Sequence, residues 1–133
     1  MITGDLGAEA VRVAKKVARV AGLPLIVHVG EPPPLLEDVL DLLEEGDVVT
    51  HAFHGKPGGN LMEDPRSLTA VHEARARGVL LDVGHGAASF SSKVMRFARE
   101  QGIETDLIST DLHRNSIKAV SYTHLTLPTN SLV

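Results

Sequence analysis

Four stretches of this chain run from apolar residues straight into side chains that bind metals or carry protons. They are PLIVHVGE, DVVTHAFHG, VLLDVGHG and DLISTDLH, and they deliver His28, His51 with His54, Asp82 with His85, and Asp111 with His113. Imidazole is the commonest nitrogen ligand of zinc and similar ions. Two imidazoles from adjacent strand ends can reach one ion, and an aspartate on the same rim adds a carboxylate. A single histidine after an apolar run is more often a hydrogen-bonded structural residue. Four such endings in succession instead predict side chains converging on one face of a parallel sheet, where α/β proteins do their chemistry. His28, His51 and Asp111 are the candidate metal ligands.

The elements that must hold this rim lie between the motifs. Residues 8–21 set Val11, Ala14, Val17, Ala18 and Ala21 against Glu9, Arg12, Lys15, Lys16 and Arg19. That pattern predicts an amphipathic helix with Lys15 outward, stopped by Gly22. LIV follows Pro24 as a first strand, and Pro32 to Pro34 form a loop because consecutive prolines cannot continue a ladder. A second helix is expected over 35–45 with Leu36, Val39, Leu40 and Leu43 inward, ended by Gly46. DVVT is the next strand and HGKPGG a flexible loop. Asp64 and Pro65 cap and open a third helix closed by Gly78. VLLDV, the helix SSKVMRFAREQ and the strand DLIST complete the order α-βα-βα-βα-β. Short connections in that order predict right-handed parallel units with strands covered on both faces.

Bulk properties narrow the classes. A chain of 133 residues is long enough for one compact domain and too short for two substantial ones. Its 43% hydrophobic content suits a globular core, while a net charge of -4 and 3% aromatic residues argue against nucleic-acid binding. The absence of cysteine excludes disulfides and cysteine-ligated zinc. No apolar run approaches the roughly 20 residues needed to span a bilayer. MITGDLGAEA lacks the basic start and apolar core of a signal peptide. A cytoplasmic protein without membrane or nucleic-acid partners is the expectation.

Both ends read as interrupted. The chain opens on Gly4-Asp5-Leu6-Gly7, a strand-to-helix loop with no strand before it. After Lys118 the pattern gives way to AVSYTHLTLPTNSLV, which has neither helical nor alternating period. Residues 119–133 are expected to be a non-native or disordered tail. SYTHLTLPTNSLV resembles translated adapter sequence, so His124 carries no functional weight.

LPLIVHVGEPPP, VVTHAFHGKPGG, LLDVGHGAASFS and LISTDLH, in this order and spacing, resemble the second half of the amidohydrolase superfamily's (β/α)8 barrel. Within it they look most like the dihydroorotase-related amidohydrolase/deacetylase metallohydrolases. The resemblance covers about residues 5–117. It implies an α/β fold that is a partial (β/α)8 TIM barrel, with strands five to eight and their helices visible. Residues 1–118 are then the C-terminal half of a metal-dependent hydrolase barrel. His28 and His51 match the fifth- and sixth-strand metal ligands, and Asp111 the eighth-strand aspartate. The family's first-strand His-x-His pair and fourth-strand bridging lysine have no counterpart. Lys56 is not that lysine, because it follows the sixth strand.

The resemblance implies two divalent metal ions as cofactors, zinc first among them, and a small-molecule amide as partner. It leaves a homo-oligomeric parent open. The implied reaction is hydrolysis of an amide, cyclic amide or N-acyl bond by a metal-generated hydroxide. Asp111 would bind one ion, take the proton and pass it to the leaving amine, so it is also the catalytic candidate. His28 and His51 would hold the other ion as neutral ligands. This chain alone is expected to be inactive.

Other readings stay open. Lys56 either neutralises a substrate carboxylate or is a solvated loop lysine. His85 either donates to the substrate, as the resemblance suggests, or orders its loop. His54 and His113 look like partners that orient the ligands. Asp82 reads equally as functional or as a buried residue bonded to loop amides. His72 and the run Glu37, Asp38, Asp41, Glu44 and Glu45 read as solvated helix faces. Two further functions fit the same rim: a non-catalytic α/β module for a small anion, and a lactone or phosphotriester hydrolase on the same scaffold.

Overall fold

The computed structural model describes residues 6–86 and 88–111. His113, His124 and the tail expected at 119–133 therefore lie outside the described residues. The elements in chain order are α1 (Glu9–Ala21), β1 (Ile26–His28), α2 (Leu36–Leu40), β2 (Val48–Thr50), α3 (Pro65–Ala76), β3 (Leu80–Asp82) and α4 (Ser92–Glu100). The three strands pair in parallel in the order β1-β2-β3. Parallel neighbours require a crossover, and α2 and α3 supply it. No helix among the described residues is long and apolar enough to cross a membrane.

Register assigns each face its role. Val27, Val49 and Leu81 are partners across the sheet and are all buried, joining a core with Leu40, Leu43, Phe53, Val71, Ala74, Ala98 and Ile103. Because side chains alternate, the next register places His28, Thr50 and Asp82 side by side on the opposite face. That face is not fully covered, contrary to the expectation from the apolar runs. Ile26 on it remains 66% exposed.

DLIST is not a full strand. It contacts the sheet through one parallel bridge, Leu107 to Asp82. Ladder bonds run on from there: Leu107 N donates to Leu81 O at 3.0 Å, Val83 N to Leu107 O at 3.0 Å, and His85 N to Ser109 O at 2.7 Å. Its entry is instead held by side chains. Asp106 Oδ2 accepts from Leu81 N at 2.9 Å, and Thr105 Oγ1 donates to Leu107 O at 2.7 Å.

Two helices also depart from expectation, both because of Asp47. Lys15 does not face solvent; it is 8% exposed, while Val17 is 63% exposed. Its ammonium lies 2.5 Å from Asp47 Oδ2, so a buried ion pair turns α1 away from its apolar stripe. The second helix stops at Leu40 instead of running to 45. The helix tightens into three-residue bonds, Leu42 N to Val39 O and Leu43 N to Leu40 O, both at 3.1 Å, and beyond them Glu44 N donates to Asp47 Oδ2 at 2.8 Å and Arg77 to Leu40 O at 2.9 Å. The caps of α3 and α4 follow the expected chemistry: Asp64 Oδ1 accepts from Arg66 N at 2.9 Å, and Ser91 Oγ from Val94 N at 3.4 Å.

Asp47 is 1% exposed and also accepts from Leu25 N at 2.8 Å. Burial pushes its carboxyl upward, but the Lys15 ammonium and the amides of Glu44 and Leu25 outweigh this and hold it below its ordinary value. Its contribution to stability is therefore complete above the unfolded value of about 3.9 and is lost as pH falls through the lower folded value. Asp47→Ala leaves Lys15 only the half-exposed Glu44 carboxylate, 3.2 Å away, and should cost about 3 kcal/mol in urea unfolding at pH 7. It should also flatten the loss of stability seen in the wild type below about pH 4. An unchanged unfolding midpoint would contradict this.

Candidate metal centre

β1 ends in His28, and His51 is the first residue past β2. His51 has φ 63° and Asp111 has φ 47°, left-handed values that few residues other than glycine adopt. Both candidate ligands thus sit where the chain leaves strand geometry. The His51 ring is 2% exposed and meets His28 edge-on, with ring centroids 4.1 Å apart and planes at 69°.

The tautomer of His51 follows from its partner. Nδ1 lies 2.6 Å from the Gly84 carbonyl oxygen. A carbonyl only accepts, so Nδ1 carries the proton and the neutral ring presents a lone pair at Nε2. Nε2 faces Asp111 Oδ2 at 4.0 Å. Both atoms line the same hollow and are donors of the kind that zinc takes from histidine and carboxylate. His28 is held to about 4, first by desolvation of its ring and then by the neighbouring His51, with Asp111 pulling the other way. It is neutral at pH 7, as a ligand must be.

The donors fit a zinc-like ion in chemistry but not in number. His28 stands against His51 and His51 against Asp111. Among the described residues, however, no group of three or more His, Asp or Glu side chains is spaced to hold one ion. The three line an open hollow of about 430 Å³, with Ile26, Thr50, Asp82 and Ser109 among its other walls.

The GHG segment has a steric role. A Cβ on Gly84, which has φ +53°, would lie 2.5 Å from His51 Nδ1, and one on Gly86 would lie 2.7 Å from Asp111 Oδ2. Each glycine lets one candidate ligand pack against backbone. His85 between them stacks on Phe90 at 4.9 Å, and its buried Nδ1 has no hydrogen-bond partner among the described residues.

The remaining candidates are placed as follows. Lys56 Nζ lies 3.3 Å from Glu31 Oε1, beside Gly30 and close to His28. His54 is 2% exposed and its Nδ1 accepts from Lys56 N at 3.2 Å, so its ring organises the Lys56 loop. Its link to the ligand turn is through backbone alone, His54 N to His51 O at 3.2 Å. Burial lowers its pKa, with the Lys56 charge adding to the effect. Asp82 is bonded to hydroxyls rather than loop amides: Thr50 and Ser109 both donate to its Oδ2 at 2.6 Å. His72 is exposed on α3. Thr50 and Ser109 were not anticipated from sequence. The available signal was a hydroxyl residue one or two positions before a candidate ligand at a strand end.

Two measurements check this geometry. An NMR titration should place the His28 midpoint near pH 4. Since the unfolded ring takes its proton near 6.5, the chain should lose stability as pH falls from there towards 4. A midpoint at the ordinary value would contradict the contact with His51. Gly84→Ala should shift the His51 ring resonances and cost about 1–3 kcal/mol, because it adds a left-handed penalty to a steric one. Unmoved resonances would contradict the close approach.

No family model matches the chain. It is 47% identical over 117 residues to a deacetylase of Brucella anthropi, covering 88% of this chain and 29% of that protein. A solved dihydroorotase superimposes with a TM-score of 0.82 at 46% identity, over 87% of this chain and 30% of that one. A solved adenine deaminase gives a TM-score of 0.75 at 35% identity, over 90% and 32%. The chain thus spans about three tenths of the length of the proteins it matches. With 117 residues at 47% identity to a deacetylase, and a backbone that follows a dihydroorotase and an adenine deaminase, the chain is homologous over most of its length to a segment of proteins of the amidohydrolase superfamily.

Proposed function

We propose that this chain is the C-terminal half of a metal-dependent amidohydrolase barrel that hydrolyses an amide, cyclic amide or N-acyl bond of a small molecule. In that reading β1, β2, β3 and the 107–109 segment are strands five to eight. The observation that carries it is the His51 ring, held by its Nδ1 proton on Gly84 O, turning Nε2 towards the Asp111 carboxylate across 4.0 Å with His28 alongside. The printed names of the relatives, deacetylase, dihydroorotase and adenine deaminase, support the reaction class. A cytoplasmic setting without membrane or nucleic-acid partners suits a substrate of that size.

Asp111 would hold one zinc-like ion and His28 with His51 a second, with further ligands from the rest of the longer protein. When bound, such ions polarise the substrate carbonyl and acidify a water. The residues of this chain supply the rest. His51 keeps its proton on Nδ1, bonded to Gly84, and so takes no part in proton transfer. The Asp111 carboxylate receives the proton of the attacking water and returns it to the leaving nitrogen. Lys56, held by Glu31 beside His28, offers an ammonium to an anionic group on the substrate.

A chimera carrying this chain in place of its matched segment in the Brucella anthropi deacetylase tests the reading. It should remove acetyl groups, and Asp111→Asn within it should lower kcat by about a hundredfold or more. A folded chimera whose activity ignores that substitution would contradict the role given to Asp111.

A further inference from the structure

We propose that Asp82 is the positioning residue of this site: one carboxylate oxygen ties together the two turns that present His51 and Asp111. Thr50 Oγ1 and Ser109 Oγ both donate to Asp82 Oδ2 at 2.6 Å, the length of hydroxyl-to-carboxylate bonds. Thr50 immediately precedes His51, and Ser109 stands two residues before Asp111. Both ligands then adopt left-handed φ, a conformation that persists only where the surroundings impose it.

The clasp around His51 is closed on three sides. Thr50 bonds the Asp82 side chain, Ala52 N donates to Asp82 O at 3.2 Å, and the His51 ring bonds Gly84 O. Three consecutive residues are therefore fastened to 82–84. On the other side, His85 N donates to Ser109 O at 2.7 Å, so the same stretch of chain grips the approach to Asp111. Asp82 is 4% exposed, and its second oxygen, Oδ1, is buried with no hydrogen-bond partner among the described residues. A half-matched buried carboxylate is an expensive filler. Its position between the two turns accounts for it better than packing does.

The inference rests on His51 and Asp111 being the working donors proposed above, and the test separates the two. In the 133-residue chain, Asp82→Ala, Asp82→Asn, Thr50→Val and Ser109→Ala are compared by the ¹⁵N and ¹H signals of the His51 imidazole without metal, and by Co²⁺ affinity and visible absorption. Asp82→Ala and Thr50→Val should shift the His51 ring signals and speed exchange of its Nδ1 proton. Ser109→Ala should leave the ring in place but change the Co²⁺ spectrum. Co²⁺ affinity should fall about tenfold or more in Asp82→Ala. Asp82→Asn, whose amide oxygen can still accept both hydroxyls, should restore the ring signals. His51 signals unchanged in folded Asp82→Ala would overturn the proposal. If that variant does not fold, unchanged signals in the near-isosteric Thr50→Val would overturn it instead. A wild type that takes up no Co²⁺ would count against the metal reading alone, because the metal-free ring signals still decide whether Asp82 positions His51.

Discussion

The bond between His51 Nδ1 and the Gly84 carbonyl is the interaction on which the site depends. At 2.6 Å it decides which ring nitrogen keeps the proton, and so which one turns a lone pair outward. It is possible only because residue 84 lacks a side chain and because the chain turns left-handed at His51. A ring freed from that carbonyl would rotate, and the 4.0 Å gap to Asp111 would cease to be a defined space. The geometry at His51 thus rests on a backbone oxygen, a glycine and a tight turn as much as on ionisable groups.

The two ends of the sheet divide the labour. At the C-terminal ends of the strands the described structure keeps features that cost stability: left-handed turns at His51 and Asp111 and an unmatched Asp82 oxygen. At the opposite end Asp47 makes a fully matched buried network with Lys15, Leu25 and Glu44. α/β folds commonly separate stability from chemistry in this way. Here the separation lies within β2 and its flanks, since Asp47 immediately precedes the strand and His51 follows it.

Much of this could be read from the residues, and the misses share a cause. The helix ends at Gly22 and Asp64-Pro65 were legible because caps are local chemistry. The parallel order followed from alternating elements, and the placing of His28 beside His51 from strand ends of equal register. Lys15 was misplaced because a single long-range partner, Asp47, outweighed the helical period. The early end of α2 has the same origin, together with Arg77, 37 residues from Leu40. Thr50 and Ser109 were invisible for a related reason. A hydroxyl at a strand end is unremarked until the carboxylate 27 to 32 residues away is known to accept from it. The GHG glycines were noticed as a motif, but their function required seeing what packs against them.

Anomalous diffraction at the zinc edge, from crystals of this chain grown with zinc, tests the central claim most directly. The account predicts a peak within about 2.0–2.2 Å of His51 Nε2, in the hollow that Asp111 also lines, with the His51–Gly84 bond intact. A well-ordered site with no peak there, or a His51 ring turned so that Nδ1 faces the ion, would contradict it.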